Sequence, residues 1–158
     1  MIRTLRLTKV FSYRKNQPAI TAVKDLDLEI PEGEVFGFLG PNGAGKTTTV
    51  RMLCSLIGPT SGKAWIGPYQ VGKDDQAIRR TVGILTETPG MYDRLSAEKN
   101  LTIYARLYDV RNIPGQVEKY LRMLGLWERR FDSVGSFSKG MRQKLAIARA
   151  LLHEPRVL

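Results

Sequence analysis

Gly40-Pro41-Asn42-Gly43-Ala44-Gly45-Lys46-Thr47 sets flexible glycines, a lysine and a hydroxyl in an order suited to holding phosphate. The order matches GxxxxGK[ST]. Glycine takes backbone angles that a Cβ disfavours and lets the chain approach an anion closely. The N–H groups from Gly43 to Thr48 then form a concave nest, backed by the positive end of the helix that follows. The dipole contributes about 0.3–1 kcal/mol for one charge, whereas each charge-assisted hydrogen bond adds about 1.5–3 kcal/mol, so the amides dominate. The Lys46 ammonium reaches β- and γ-phosphates, and the Thr47 hydroxyl is placed to coordinate Mg2+.

The loop needs a strand before it and a helix after it. Val35 to Leu39 is the short apolar run expected of a strand buried on both faces. Val50, Leu53, Cys54 and Ile57 fall at helical spacing and predict one apolar face, which Gly58-Pro59 ends. A chance match to the pattern in a chain of this size has odds of about one in 200 at ordinary residue usage. The flanks lower those odds. Kinases, GTPases and motor ATPases share the loop, so it implies nucleotide triphosphate binding and no particular reaction.

The 158 residues and 42% hydrophobic content suit one domain with a core. No apolar stretch approaches the roughly 18 residues of a membrane span, and Met1 to Val10 lacks the core of a secretory signal, so a cytosolic start is expected. The single Cys54 has no disulfide partner and is read as inert packing. Lys and Arg number 25 against 15 Asp and Glu. Those cations are scattered and not interleaved with aromatics, so an anionic membrane face suits them at least as well as nucleic acid, which is not expected as a partner.

Further along, Leu26, Leu28 and Ile30 alternate with Asp27 and Glu29, predicting a strand with one wet face. Short strands are expected near Ala64 to Ile66 and at Val82 to Leu85, with a small helix near Asp74 to Arg80 between them. Ala97, Leu101, Tyr104 and Tyr108 share a helical face behind a Ser96 cap, and Val117, Leu121 and Leu124 mark a helix bounded by Pro114 and Gly125. A helical insert thus interrupts the α/β pattern from near Ser96 to near Asp132. Met141, Leu145, Ala148 and Leu152 line a last helix capped by Ser138, a second anion-binding end.

Taken together, the glycine loop, the segment Thr81 to Leu101 (TVGILTETPGMYDRLSAEKNL) and FSKGMRQ from Phe137 to Gln143 resemble the ATP-binding domain of ABC transporters. FSKGMRQ is similar to the signature usually written LSGGQ, and the wording is closest to the drug- and ion-exporter (ABC-2) branch. The resemblance covers essentially the whole chain. It implies an α/β P-loop NTPase fold: a RecA-like core with an antiparallel β subdomain and the core loop within 1–95, a helical subdomain at 96–132, and the signature helix with the start of the next core strand at 133–158. By the same resemblance Phe11 stacks on adenine, with nearby Tyr13 as an alternative. Ser138, Lys139 and Gly140 belong to the signature, which acts on the γ-phosphate of a second copy in a head-to-tail dimer. Membrane-spanning permease subunits are the implied partners, ATP and Mg2+ the implied ligands. The inner face of the cell membrane is the implied location.

Two departures from the family pattern stand out. Glu87 occupies the position of the Q-loop glutamine, where it can face Mg2+ or water but brings a negative charge, and Met141 replaces the signature glutamine. The chain also ends at LLHEPRVL, before the Walker B aspartate and the glutamate that activates water, and His153 is a structural residue, not the family's switch histidine. The expectation is therefore a C-terminally incomplete domain that binds ATP without hydrolysing it at a useful rate. Two other readings remain: a soluble ABC-type ATPase of DNA repair or translation, and a small-molecule kinase on the same loop.

Overall fold

The computed structural model describes residues 1–12, 18–86 and 90–158. They divide into two units, Met1–Arg79 and Arg80–Leu158.

The first unit is built on a four-stranded sheet in the order β2-β1-β3-β4, from strands β1 (Ile2–Phe11), β2 (Ile20–Ile30), β3 (Ser61–Ile66) and β4 (Tyr69–Gln70). All pairings are antiparallel, with Ile2 opposite Ile30 on one side and Ile66 on the other. Thr4, Leu7, Val23, Ile30, Ala64 and Ile66 form the buried side. The Thr4 hydroxyl donates to the Leu26 carbonyl at 2.8 Å, which removes the cost of burying it. The register breaks where Arg6 and Asp25 take positive φ values of 44° and 45°, and the Arg6 N–H is taken up by Asp27 Oδ1 at 2.6 Å. These are bulges that bend the strands. Helix α1 (Lys46–Leu53) packs against β2 and β3, and α2 begins at Asp75 and runs to Thr81.

In the second unit α3 (Ala97–Leu107), α4 (Ile113–Met123) and α5 (Lys139–Leu151) enclose one core. Leu101, Leu121, Leu145 and Leu152 are fully buried there beside Val134, Phe137 and Ala148. Each such leucine contributes about 1.5–3 kcal/mol relative to exposure. The expected caps are in place: Ser96 Oγ accepts from Lys99 N and Ser138 Oγ from Met141 N, both at 3.2 Å. Asn112, with Pro114 in the first turn, caps α4, and Gly125 follows it with φ 67°.

Three expectations fail. Val35 to Leu39 forms no strand, and Val35 and Leu39 are fully exposed. A strand exists only through its partners, and no described segment pairs with this run. Of Val82 to Leu85 only Val82 pairs, parallel to Val157. In α1 Val50 is exposed, while Thr49, Met52 and Leu53 are buried with Cys54 behind them. Thr49 can turn inward because its hydroxyl donates to Gly45 O at 3.0 Å, so the helix buries a threonine where hydropathy favours the valine.

Candidate functional site

In the first unit, Gly40 to Gly45 runs over the surface into α1, with Gly45 as N-cap at φ 84°. A Cβ on Gly45 would stand 2.3 Å from the Ala22 carbonyl oxygen and 3.1 Å from Val23 Cγ2. Glycine is thus required twice, for the left-handed angle and for contact with β2. Gly43 also has positive φ, 86°, but open space around it. Ala44 N donates to Pro41 O at 3.3 Å, closing the turn that contains Asn42.

The Lys46 ammonium folds back over this loop and donates to the carbonyls of Gly40 and Pro41, each at 2.6 Å. Among the described residues, no acceptor takes up the N–H groups of Gly45, Lys46, Thr47 or Thr48. The first turn of α1 therefore offers a cation, free amides and the exposed Thr47 hydroxyl together, with no acidic residue in that turn. Such a surface can bind a polyanion.

Phe11 ends β1 opposite Ile20, two residues before the Ala22 that Gly45 touches. Phe11 thus ends the strand beside the one that Gly45 rests against. Tyr13 and Glu87 lie outside the described residues.

In the second unit, Ser138 caps α5, and Lys139 and Gly140 form its exposed first turn. Arg142 fixes the approach to that turn: it donates to Phe137 O at 3.3 Å and Gly135 O at 3.0 Å, and meets Asp93 Oδ1 at 2.6 Å. Asn100, fully buried, receives the Tyr92 N–H and donates to the carbonyls of Tyr92, Leu95 and Ser96. Sequence reasoning missed Lys9, Arg142 and Asn100. For Arg142 a signal existed, since it stands four residues after the Ser138 cap on the same helical face. Lys9 donates to the Gly58 carbonyl, 49 residues away, and left none, and Asn100 bonds backbone four to eight residues before it with nothing in its type to mark it as buried.

Cys54 is buried, and burial pushes its thiol up to about 11, so it is unreactive packing as expected. His153 stacks on Tyr108 at 4.0 Å, and its Nε2 lies 3.2 Å from the Val82 carbonyl, a structural role. Desolvation holds its pKa below the ordinary value. Among the described residues no cluster of His, Cys, Asp and Glu can hold a metal by itself, and no helix is long and apolar enough to cross a membrane.

The family model described as "ABC transporter" matches residues 23–158. The chain is 41% identical over its whole length to the bacitracin transport ATP-binding protein BcrA of Bacillus licheniformis, covering 49% of that protein. It is 40% identical to the ABC transporter ATP-binding protein NatA of Bacillus subtilis, over 92% of this chain and 61% of NatA. It thus spans about half the length of the curated relatives it matches. Among solved structures, the dimeric post-hydrolysis state of the ATP-binding cassette MJ0796, bound to ADP and Pi, superposes with a TM-score of 0.81. That match has 25% identity and covers 98% of this chain and 71% of the cassette. The fold is accordingly the α/β P-loop NTPase fold of such cassettes. By the match over most of its length and by these relatives, the chain belongs to the ABC transporter family.

Proposed function

We propose that the chain is the ATP-binding part of an ABC exporter subunit, gripping the nucleotide's phosphates with Gly40 to Thr48. One observation carries this reading. The Lys46 ammonium covers the loop from Gly40 and Pro41 while the first amides of α1 have no protein acceptor. A triphosphate satisfies both sets at once. Relatives named for bacitracin transport and for linearmycin resistance support the export direction.

Magnesium fits the donor set. The exposed Thr47 hydroxyl makes no hydrogen bond among the described residues, and this ion is held by one or two protein oxygens together with phosphate oxygens. When bound it neutralises charge between the β- and γ-phosphates. Thr47 would hold it, and Glu87 is proposed beside it. Phe11 is proposed as the platform for the base. Ser138, Lys139 and Gly140 are proposed to face the γ-phosphate held by a second copy, in a dimer closed by two-fold symmetry. Permease subunits that span the membrane are the proposed partners, and the cytoplasmic face of that membrane the proposed location.

Thermal unfolding tests the reading. MgATP at 100 times its dissociation constant adds about 2.7 kcal/mol to the folded state. For a chain of this size that raises Tm by about 5–11 °C. A Tm unmoved by saturating MgATP overturns the proposal.

A further inference from the structure

Lys9 stands two residues before Phe11 on β1, across the register shift between Lys9 and Val10. Its ammonium lies 5.2 Å from the centre of the Phe11 ring and donates to the Gly58 carbonyl at 2.7 Å. Gly58 belongs to the segment that leaves α1. Two more bonds fasten the same stretch: Thr60 N donates to Thr8 O at 2.9 Å, and Val10 N to Thr60 Oγ1 at 3.0 Å. The end of β1 is thereby tied to the C-terminal side of the helix whose N-terminus is the glycine loop. On the other side Gly45 rests on Ala22, and Val10 and Phe11 pair with Thr21 and Ile20. The phosphate loop and the aromatic ring are held at a set separation.

We propose that Lys9 is a positioning residue for base recognition, fixing the Phe11 ring on which a purine stacks. This rests on the reading of the loop as an ATP site with Phe11 beneath the base. A solvated lysine passing a ring is common, but this ammonium is anchored twice. With the ammonium against the ring and held by Gly58, the ring loses freedom before the base arrives, which lowers the ordering cost of binding. Lys9 contributes nothing to the phosphates directly, so its effect is confined to ligands that carry a base.

The test compares MgATP with magnesium tripolyphosphate by calorimetric titration of the whole chain. Lys9→Met keeps the stem and removes the charge, and it weakens ATP by about two- to fivefold while leaving tripolyphosphate unchanged. Lys9→Arg retains most of the preference, and in a Phe11→Ala background Lys9→Met has no further effect on ATP. Equal weakening of both ligands overturns the proposal. So does full additivity with Phe11→Ala, or loss of the ATP preference in Lys9→Arg as complete as in Lys9→Met. Wild-type protein that holds tripolyphosphate as tightly as ATP overturns it too while sparing the phosphate loop; protein that binds neither overturns the loop reading and this inference with it.

Discussion

Replacing Gly45 by alanine separates two reasons for glycine that the neighbouring Gly43 does not share. At Gly43 an added Cβ meets nothing within 4 Å, so the cost is only the left-handed angle, about 1–2 kcal/mol. At Gly45 the same angle applies, and the Cβ also stands 2.3 Å from the Ala22 carbonyl, on backbone held between Thr21 and Val23, which pair with Val10 and Lys9 and keep it from swinging aside cheaply. Overpacking of this kind adds about 1–3 kcal/mol, for a total of about 2–5 kcal/mol. The loss takes one of two forms. Either the loop stays against β2 and the whole unit is destabilised, or the loop lifts away and its amides no longer converge. Urea denaturation reads the first and MgATP titration the second, so the two losses are added. Gly45→Ala should exceed Gly43→Ala by at least 1 kcal/mol in that sum. Gly62→Ala is the control outside the loop: its Cβ would lie 2.1 Å from Arg6 O, and its cost should fall on stability alone. Equal sums for Gly45→Ala and Gly43→Ala would refute the argument that contact with β2 shapes the loop.

Three other outcomes are expected. Asn100→Leu takes the acceptor from the Tyr92 N–H and leaves the carbonyls of Tyr92, Leu95 and Ser96 with only their backbone donors, and should lower unfolding free energy by about 1–3 kcal/mol in urea; a loss below about 0.5 kcal/mol contradicts the proposed anchoring. Ser138→Ala removes the cap of α5 at a cost of about 0.5–2 kcal/mol, and Ser138→Gly should recover most of it, both read from urea midpoints. His153, the chain's single histidine, has a folded pKa depressed by desolvation, so the unfolded chain takes up its proton first. Stability should therefore be complete above about pH 6.5 and fall as pH drops from there through the folded pKa, and His153→Phe should flatten that slope; a midpoint that rises on acidification between pH 6.5 and 5.5 contradicts the sign.

Much of the site was legible because its causes are local. The Ser96 and Ser138 caps and the apolar faces of α3, α4 and α5 each depend on residues within a turn or two of one another, and these are found as expected. β1 was not legible. Its bulge at Arg6 breaks the two-residue period, so exposed Leu5 and Arg6 sit between buried Thr4 and Leu7 without alternating. The run at Val35 to Leu39 misled for the opposite reason: its composition suits an interior strand, but pairing is a property of neighbours that composition does not supply. Val50 misled because a hydroxyl that bonds its own helix, as Thr49 does, is better buried than its type suggests. Lys9 left no trace, since its meaning depends on Gly58, which lies 49 residues away.

Direct titration of MgATP against the wild-type chain and Lys46→Ala bears most immediately on the central claim. The ammonium that spans Gly40 and Pro41 gives charge-assisted bonds to a triphosphate, and its loss should weaken binding by roughly tenfold or more. The account predicts that difference with both proteins folded by circular dichroism. Equal affinities would contradict it.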